Sequence, residues 1–421
     1  MSIGLIGDGW WKSACQAAGE SFMILPPAGK TTGNPYTADV AARSEVGLRW
    51  LDVLEGNDVD LLLDNGGTGL AYLPDPGNSG SMKLLHEAAG VPLASHLIDP
   101  LVTAFQGLPW PALWQSLTSE SWFKFIWDKP QTEELIRFGV PNVHHVPMAA
   151  PDREYDTRPL DVTHEGCPVS FVGGQNTSYF YPGRSVPSAS LLRGTLAMGV
   201  RADLPEMSFF HTYFDLYGLA DPPRRTDDLA TRTRKAFDYF NAKLFYNASL
   251  CIKQRDRFVI FLKQRLGDMF TLIGDRWETA YGLSCQPKLS TTEAFFDHFR
   301  KTAINLNLVN GNSDSGLNMR HFEITAAGGF MLCYHTSDID EFFRVGSECV
   351  TFSDEQDLLE KIHFYLEHPE KRIEIAHAGQ RRTLNAHLYS HRLKTIRTII
   401  RQTRSDEDRS DARRPLASVN P

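Results

Sequence analysis

No stretch of this 421-residue chain approaches the roughly 18 continuous apolar residues that a membrane-spanning helix requires, so a membrane span is not expected. The opening "MSIGLIGDGWWK" lacks the basic start, long apolar stretch and small-residue cleavage site of a secretory signal, and the expected location is the cytoplasm. Cysteine pairing is missing as well. The six cysteines, at 15, 167, 251, 285, 333 and 349, include no C-x-x-C pair or ligand-like spacing, which argues against a zinc site or disulfide framework and for free thiols in a reducing compartment. There is no surplus of positive charge: a net charge of -8 disfavours a nucleic-acid binder that relies on bulk attraction to phosphate. No internal repeat of solenoid period is found.

The length exceeds what one hydrophobic core usually serves, so two domains are expected. Short apolar runs alternate with helical patterns from "IGLIG" (3 to 7) through "FMILP", "VDLLLDNGG", a helical "MKLLHEAAG", "VPLASHLIDP" and "WFKFIWD" to "VHHVPM". This rhythm predicts a parallel sheet with helices on its faces over residues 1–150. A polar, proline-bearing connector follows at 151–168. The rhythm restarts at "VSFVGG" and runs to 382, with a helix from about 187 and a helical insertion at about 200–265. Tyr389, Leu393, Ile396 and Ile400 line one face of a last helix, placed at 383–403, before a charged tail at 404–421 expected to be disordered. The fold class is thus α/β, with two facing Rossmann-like domains whose ligands lie outside the carboxyl ends of the strands.

Gly4, Gly7 and Gly9 suggest a dinucleotide loop, but the third glycine position holds Lys12 and the second strand lacks an acidic residue for a ribose, so a nicotinamide enzyme is poorly supported. Asp64, Asn65, Gly66 and Gly67 sit at one strand end, and His96 and Asp99 at another. There His96 or Asp99 could take an acceptor's proton; a buried imidazole and a turn aspartate before Pro100 are the competing explanations. Of the two D-x-D triplets, Asp58 to Asp60 begins a strand, and Asp338 to Asp340 precedes a helix and reads as a cap, so no metal site is expected. In the second domain Gly173 and Gly174 end a strand where backbone amides can approach an anion, and Arg184 follows in the connecting loop.

The sharpest pattern is "GLNMRHFEITAAGG". A helix starting near Asn318 or Met319 points free amides at the loop before it, and Gly316 leaves room for phosphates, so Gly316, Leu317, Asn318, Met319 and Arg320 form an anion seat. Arg320 is unfavourable beside the positive end of a helix dipole unless something negative offsets it. Glu323, one turn on, has the reach to accept hydrogen bonds from the vicinal hydroxyls of a ribose. A capping box does not account for it, because three residues past Asn318 stands His321. An Arg320 to Glu323 ion pair, contributing a few tenths of a kcal/mol, is the competing explanation.

From about Ala303 to Leu393, "NMRHFEITAAGGFMLC" and the following "FFRVGSECVTFSDEQDLLEKIHFYLEHPEKRIEIAHAGQRRTLNAHLYSHRL" closely resemble the C-terminal half of the spore-maturation (CgeB-type) glycosyltransferases, relatives of the retaining glycosyltransferases of GT-B fold. "VSFVGG" with Arg184, "LIGDRW", "PLASHLIDP" and "GVPNVHHVPMAA" carry a looser likeness. The resemblance implies a nucleotide-sugar donor, foremost a UDP-sugar as co-substrate, held by the second domain without a metal or further cofactor. It also implies an unidentified acceptor reached from the first domain and a last helix crossing back. By that likeness Glu323 holds the donor ribose and Arg320 its diphosphate. Ser315 stands where related retaining enzymes carry a second acidic residue, so contact with the transferred sugar is not implied, and a non-catalytic nucleotide-sugar-binding protein is the competing function.

Overall fold

The computed structural model describes residues 2–412 apart from 8, 27–37, 76, 78–80, 159, 161–165, 176–223, 225, 252–254, 310 and 311. Its strands are β1 (Ile3–Leu5), β2 (Phe22–Ile24), β3 (Leu61–Asn65), β4 (Tyr72–Pro74), β5 (Met82–Leu84), β6 (Leu93–Leu97), β7 (Trp122–Ile126), β8 (Val143–His145), β9 (Cys167–Val172), β10 (Phe270–Ile273), β11 (Thr302–Asn307), β12 (Met331–Tyr334) and β13 (Val350–Phe352). Two wholly parallel sheets result, ordered β2-β1-β3-β6-β7-β8 and β10-β9-β11-β12-β13. Runs such as Leu61 to Leu63 are apolar at every position because helices cover both faces of their sheet. The expected α/β class with two Rossmann-like sheets is what the structure shows.

Two helices carry the chain back to the first sheet. The last, Tyr389–Ala412, buries Tyr389, Leu393, Ile396 and Ile400 against Trp11, Ala14, Leu61 and Leu63. It starts at Tyr389 because the preceding helix, Pro369–Ala386, ends at His387, whose carbonyl accepts the Ala150 N–H while Ala150 accepts that of Tyr389. It continues through Ala412, past the expected end at 403, since neither proline nor glycine intervenes before Pro415. The other helix, Leu229–Cys251, falls in the predicted insertion, yet its Ala236, Tyr239 and Phe240 join the core of the first sheet beside Trp114 and Phe138.

The "MKLLHEAAG" segment departs from expectation. Met82–Leu84 is a strand paired antiparallel with β4, and only Leu85–Ala88 is helical. The helix expected from about 187 lies outside the described residues. Among those described, no helix is long and apolar enough to cross a membrane.

Candidate active site

The helix Met319–Ala326 begins beyond the carboxyl end of β11, and no side chain caps its start. Asn318, the residue that would do so, is engaged elsewhere: its Oδ1 accepts from Asn307 Nδ2 at 3.2 Å and lies 3.0 Å from His321 Nδ1. Leu317 packs in the core at 1% exposure, which fixes the approach to the helix. Without a side-chain cap, and with the His321 backbone N–H donating to the Asn318 carbonyl at 3.1 Å, the positive end of the helix dipole is directed beyond the strand.

Arg320 and Glu323 do not turn out to bulk solvent. Arg320 Nη1 is ion-paired with Glu323 Oε2, and the guanidinium lies over Phe295, 4.2 Å from the ring centroid. The ion pair weighed against a ligand seat is therefore present, but Glu323 is 6% exposed, so this is not a weak surface contact. Tyr155, from the connector, and Tyr389, from the last helix, are held above the usual phenol range chiefly by burial, with the Glu323 carboxylate adding to it. Tyr389 stacks on Trp10, 5.1 Å away, beside the first glycine loop. Glu323 thus lies where both domains, the connector and the last helix meet.

The loop preceding this helix already holds an anion, and it comes from the protein. Asp128 Oδ1 accepts the backbone N–H groups of Asp314, Ser315 and Gly316 at 3.0, 3.0 and 2.8 Å. The room expected beside Gly316 for donor phosphates is thus taken up by a carboxylate of the first domain. A Cβ at Gly316 would also lie 3.0 Å from Asp128 Oδ1 and 3.1 Å from Trp127. Ser315 donates its hydroxyl to Asp338 Oδ2 at 3.0 Å, so Asp338 turns toward this loop rather than capping its own helix. Nothing in the sequence reading singled out Asp128. The available signal was its place after the strand run "WFKFIW" and before Lys129-Pro130, as a residue that starts a helix at a carboxyl edge.

The remaining predicted residues divide. His96 is wholly buried, with Nε2 2.9 Å from the Val146 carbonyl, and burial pushes its pKa down to about 4. It is a core imidazole bonded through one ring nitrogen, with Nδ1 buried and without a hydrogen-bond partner, not an accessible base, which corrects its catalytic assignment. Asp99 remains half-buried at the end of β6, next to Ile98, whose carbonyl accepts the Trp127 indole. The Gly173 N–H donates to Ile273 at 2.8 Å and its carbonyl accepts Trp277 Nε1 at 2.7 Å, so this amide is not free for an anion. The Gly174 carbonyl accepts Arg255 Nη2. A Cβ on Gly274, at φ +157°, would lie 2.4 Å from the Gly173 oxygen, so close approach of two strand ends explains Gly274, while a Cβ on Gly173 would lie 2.7 Å from Arg255 Nη2 and 2.9 Å from the Phe171 ring. Arg184 lies outside the described residues. Sequence reasoning also missed Asp256, 1% exposed, whose Oδ2 accepts from Gln175 Nε2 at 3.0 Å and Tyr281 at 2.7 Å.

Residues 254–398 match a family model described as glycosyl transferase-like. No curated protein matches the chain. Among solved structures, a sucrose-phosphate synthase from Thermosynechococcus elongatus is 11% identical over 96% of this chain and 100% of its own, at a TM-score of 0.49. HepE from Anabaena, in complex with UDP and glucose, is 12% identical over 96% and 91%, at 0.42. A glycosyltransferase from Rickettsia africae is 9% identical over 95% and 98%, at 0.44.

Proposed function

We propose that this protein is a cytoplasmic glycosyltransferase that takes a nucleoside-diphosphate sugar, foremost a UDP-sugar, at the helix Met319–Ala326 and passes the sugar to an acceptor approached from the first domain. The observation that carries this reading is the buried Glu323 carboxylate, held by Arg320 beside an uncapped helix start where the two domains meet. The glycosyl transferase-like match includes both residues.

In this reading donor binding exchanges partners. The ribose hydroxyls donate to Glu323, and Arg320 is released toward the diphosphate. When the bond between the anomeric carbon and the diphosphate oxygen breaks, its electron pair leaves on the phosphate, where Arg320 and the helix amides stabilise it without a metal. One such donor is commonly worth about 3 kcal/mol of barrier. With retention, the departing phosphate takes the acceptor's proton and no protein base is needed. Inversion needs a base, and with His96 sealed in the core that role falls to Asp99.

Calorimetric titration with uridine, guanosine and thymidine diphosphates tests the seat. Glu323→Ala is expected to weaken the best of them more than about tenfold, roughly 1.4 kcal/mol, a larger effect than its cost in stability, and the thermal midpoint verifies that the variant folds. Unchanged affinity would overturn the assignment. Ser315, whose hydroxyl is bonded to Asp338, favours the second reading of a non-catalytic nucleotide-sugar-binding protein; donor turnover with candidate acceptors separates the two.

A further inference from the structure

A second concave site lies in the second domain, away from the interdomain crevice. The turn Arg344 to Glu348 precedes β13 and so sits at the amino edge of that sheet, opposite the carboxyl ends that face the crevice. With the end of the helix Glu355–Glu367 and one face of Pro369–Ala386, it lines an open hollow of about 800 Å³. That volume falls in the range of small-molecule sites, roughly 300–1,000 Å³.

Arg344, Lys371, Arg381 and Arg382 line it, against the carboxylates of Glu348 and Glu374. This local excess of two positive charges stands in a chain whose net charge is -8. None of the four cations makes an ion pair among the described residues. Glu348 is partly committed, since its Oε2 accepts the backbone N–H of Arg344 at 2.8 Å. Arg382 is anchored by Nε donating to the Phe342 carbonyl at 2.8 Å, which leaves its terminal nitrogens for a ligand.

The arrangement is built rather than frayed. A Cβ at Gly379 would lie 2.3 Å from the Glu348 carbonyl oxygen, so only glycine lets the turn press against the helix and bring Arg344 to the side of Arg381 and Arg382. Cations gathered in a concave site repel one another and focus a positive potential, which an anion relieves. Guanidinium forks match phosphate oxygens two at a time.

We propose that this hollow is a second ligand site, which takes a small phosphorylated molecule of two or more negative charges. A concavity of this volume suits a small molecule better than the extended groove or face that a nucleic acid needs. The proposal is independent of the glycosyltransferase reading.

Inorganic tripolyphosphate is the probe, titrated into the full chain at about 150 mM salt with UDP in excess to fill any donor seat. Hydrogen exchange then locates the protected amides. The expected result is binding that protects 344–348 and 371–385, weakened about tenfold or more by the double substitution Arg344→Glu with Arg381→Glu. Arg344→Lys with Arg381→Lys, which keeps both charges, should retain most of the affinity, and thermal midpoints verify that the variants fold. Absence of binding, protection confined to 314–323, or unchanged affinity in the charge-reversed protein would each overturn the proposal. UDP affinity is measured separately, so failure here leaves the donor reading standing, and the reverse.

Discussion

Asp128 of the first domain accepts the backbone N–H of Gly316 in the second, 2.8 Å away, on the same carboxylate oxygen that takes the amides of Asp314 and Ser315. Three consecutive amides converging on one oxygen form a nest for an anion, and here the anion ties the two sheets together. Gln131 Nε2 donates to the Asn312 carbonyl at 3.0 Å beside it, and Lys129 pairs with Glu341. Asp128→Ala leaves the three amides without their acceptor and should lower stability by about 2–4 kcal/mol in urea unfolding. Asp128→Asn keeps an oxygen without the charge and should fall between. Equal stability of all three proteins would show that the contact does not fasten the domains.

Arg320 is where charge and packing separate. Arg320→Met retains apolar contact with Phe295 but removes the charge and leaves Glu323 without its ion-pair partner. If the guanidinium stabilises the leaving diphosphate, kcat should fall about 100-fold, some 3 kcal/mol of barrier, with a smaller change in KM. A loss carried wholly by KM would mean that Arg320 only binds the donor.

Local patterns made the two sheets legible, because a parallel strand buried on both faces is apolar at every position, as in Leu61 to Leu63. The last helix was legible for the same kind of reason, through the spacing of Tyr389, Leu393, Ile396 and Ile400. The hairpin of β4 with β5 was not, since a three-residue strand leading into one helical turn carries too few residues to reveal its period. Nor was Asp128 to Gly316, nor the docking of Tyr239 on the first domain: such contacts join residues far apart in sequence and leave no local trace. Gly173 misled because a strand-end glycine looks the same whether it leaves room for a phosphate or for the protein's own Arg255 and Phe171 side chains.

Buried imidazoles should dominate the response to acid. Burial lowers His86 and His387 from 6.5 to about 3, and His96 and His321 to about 4. The unfolded chain therefore binds more protons over that interval. The stability these residues contribute is fully present above pH 6.5 and is lost as pH falls toward their folded values. Asp64 acts in the opposite sense: burial raises it from 3.8 to about 6, so between those values the folded state holds the extra proton and its contribution grows on acidification. Thermal midpoints should drop steadily from pH 6.5 to 4.5, and Asp64→Asn, which keeps an acceptor for the Gly69 amide, should steepen that drop. An unchanged slope in the variant would count against a protonated Asp64 in the fold.

Tyr239 donates its hydroxyl to Glu134 Oε1 at 2.6 Å, and Trp110 Nε1 donates to the Thr233 carbonyl at 2.8 Å, so two hydrogen bonds fix the inserted helix to the first domain. Glu134 is only 1% exposed, and losing the phenol removes a donor from a buried carboxylate. Tyr239→Phe conserves the edge-on packing with Phe138, whose ring centroid is 4.9 Å away, and isolates the hydrogen bond. The cost should be about 1.5–3 kcal/mol, the range for a hydrogen bond to a charged group. Because the helix joins the first core through few residues, the loss should appear first as faster amide exchange over 229–240, with protection of β7 little changed. Uniform loss of protection across both sheets would instead mean that this helix unfolds only with the whole protein, and that its attachment is part of the global core rather than a separable strap.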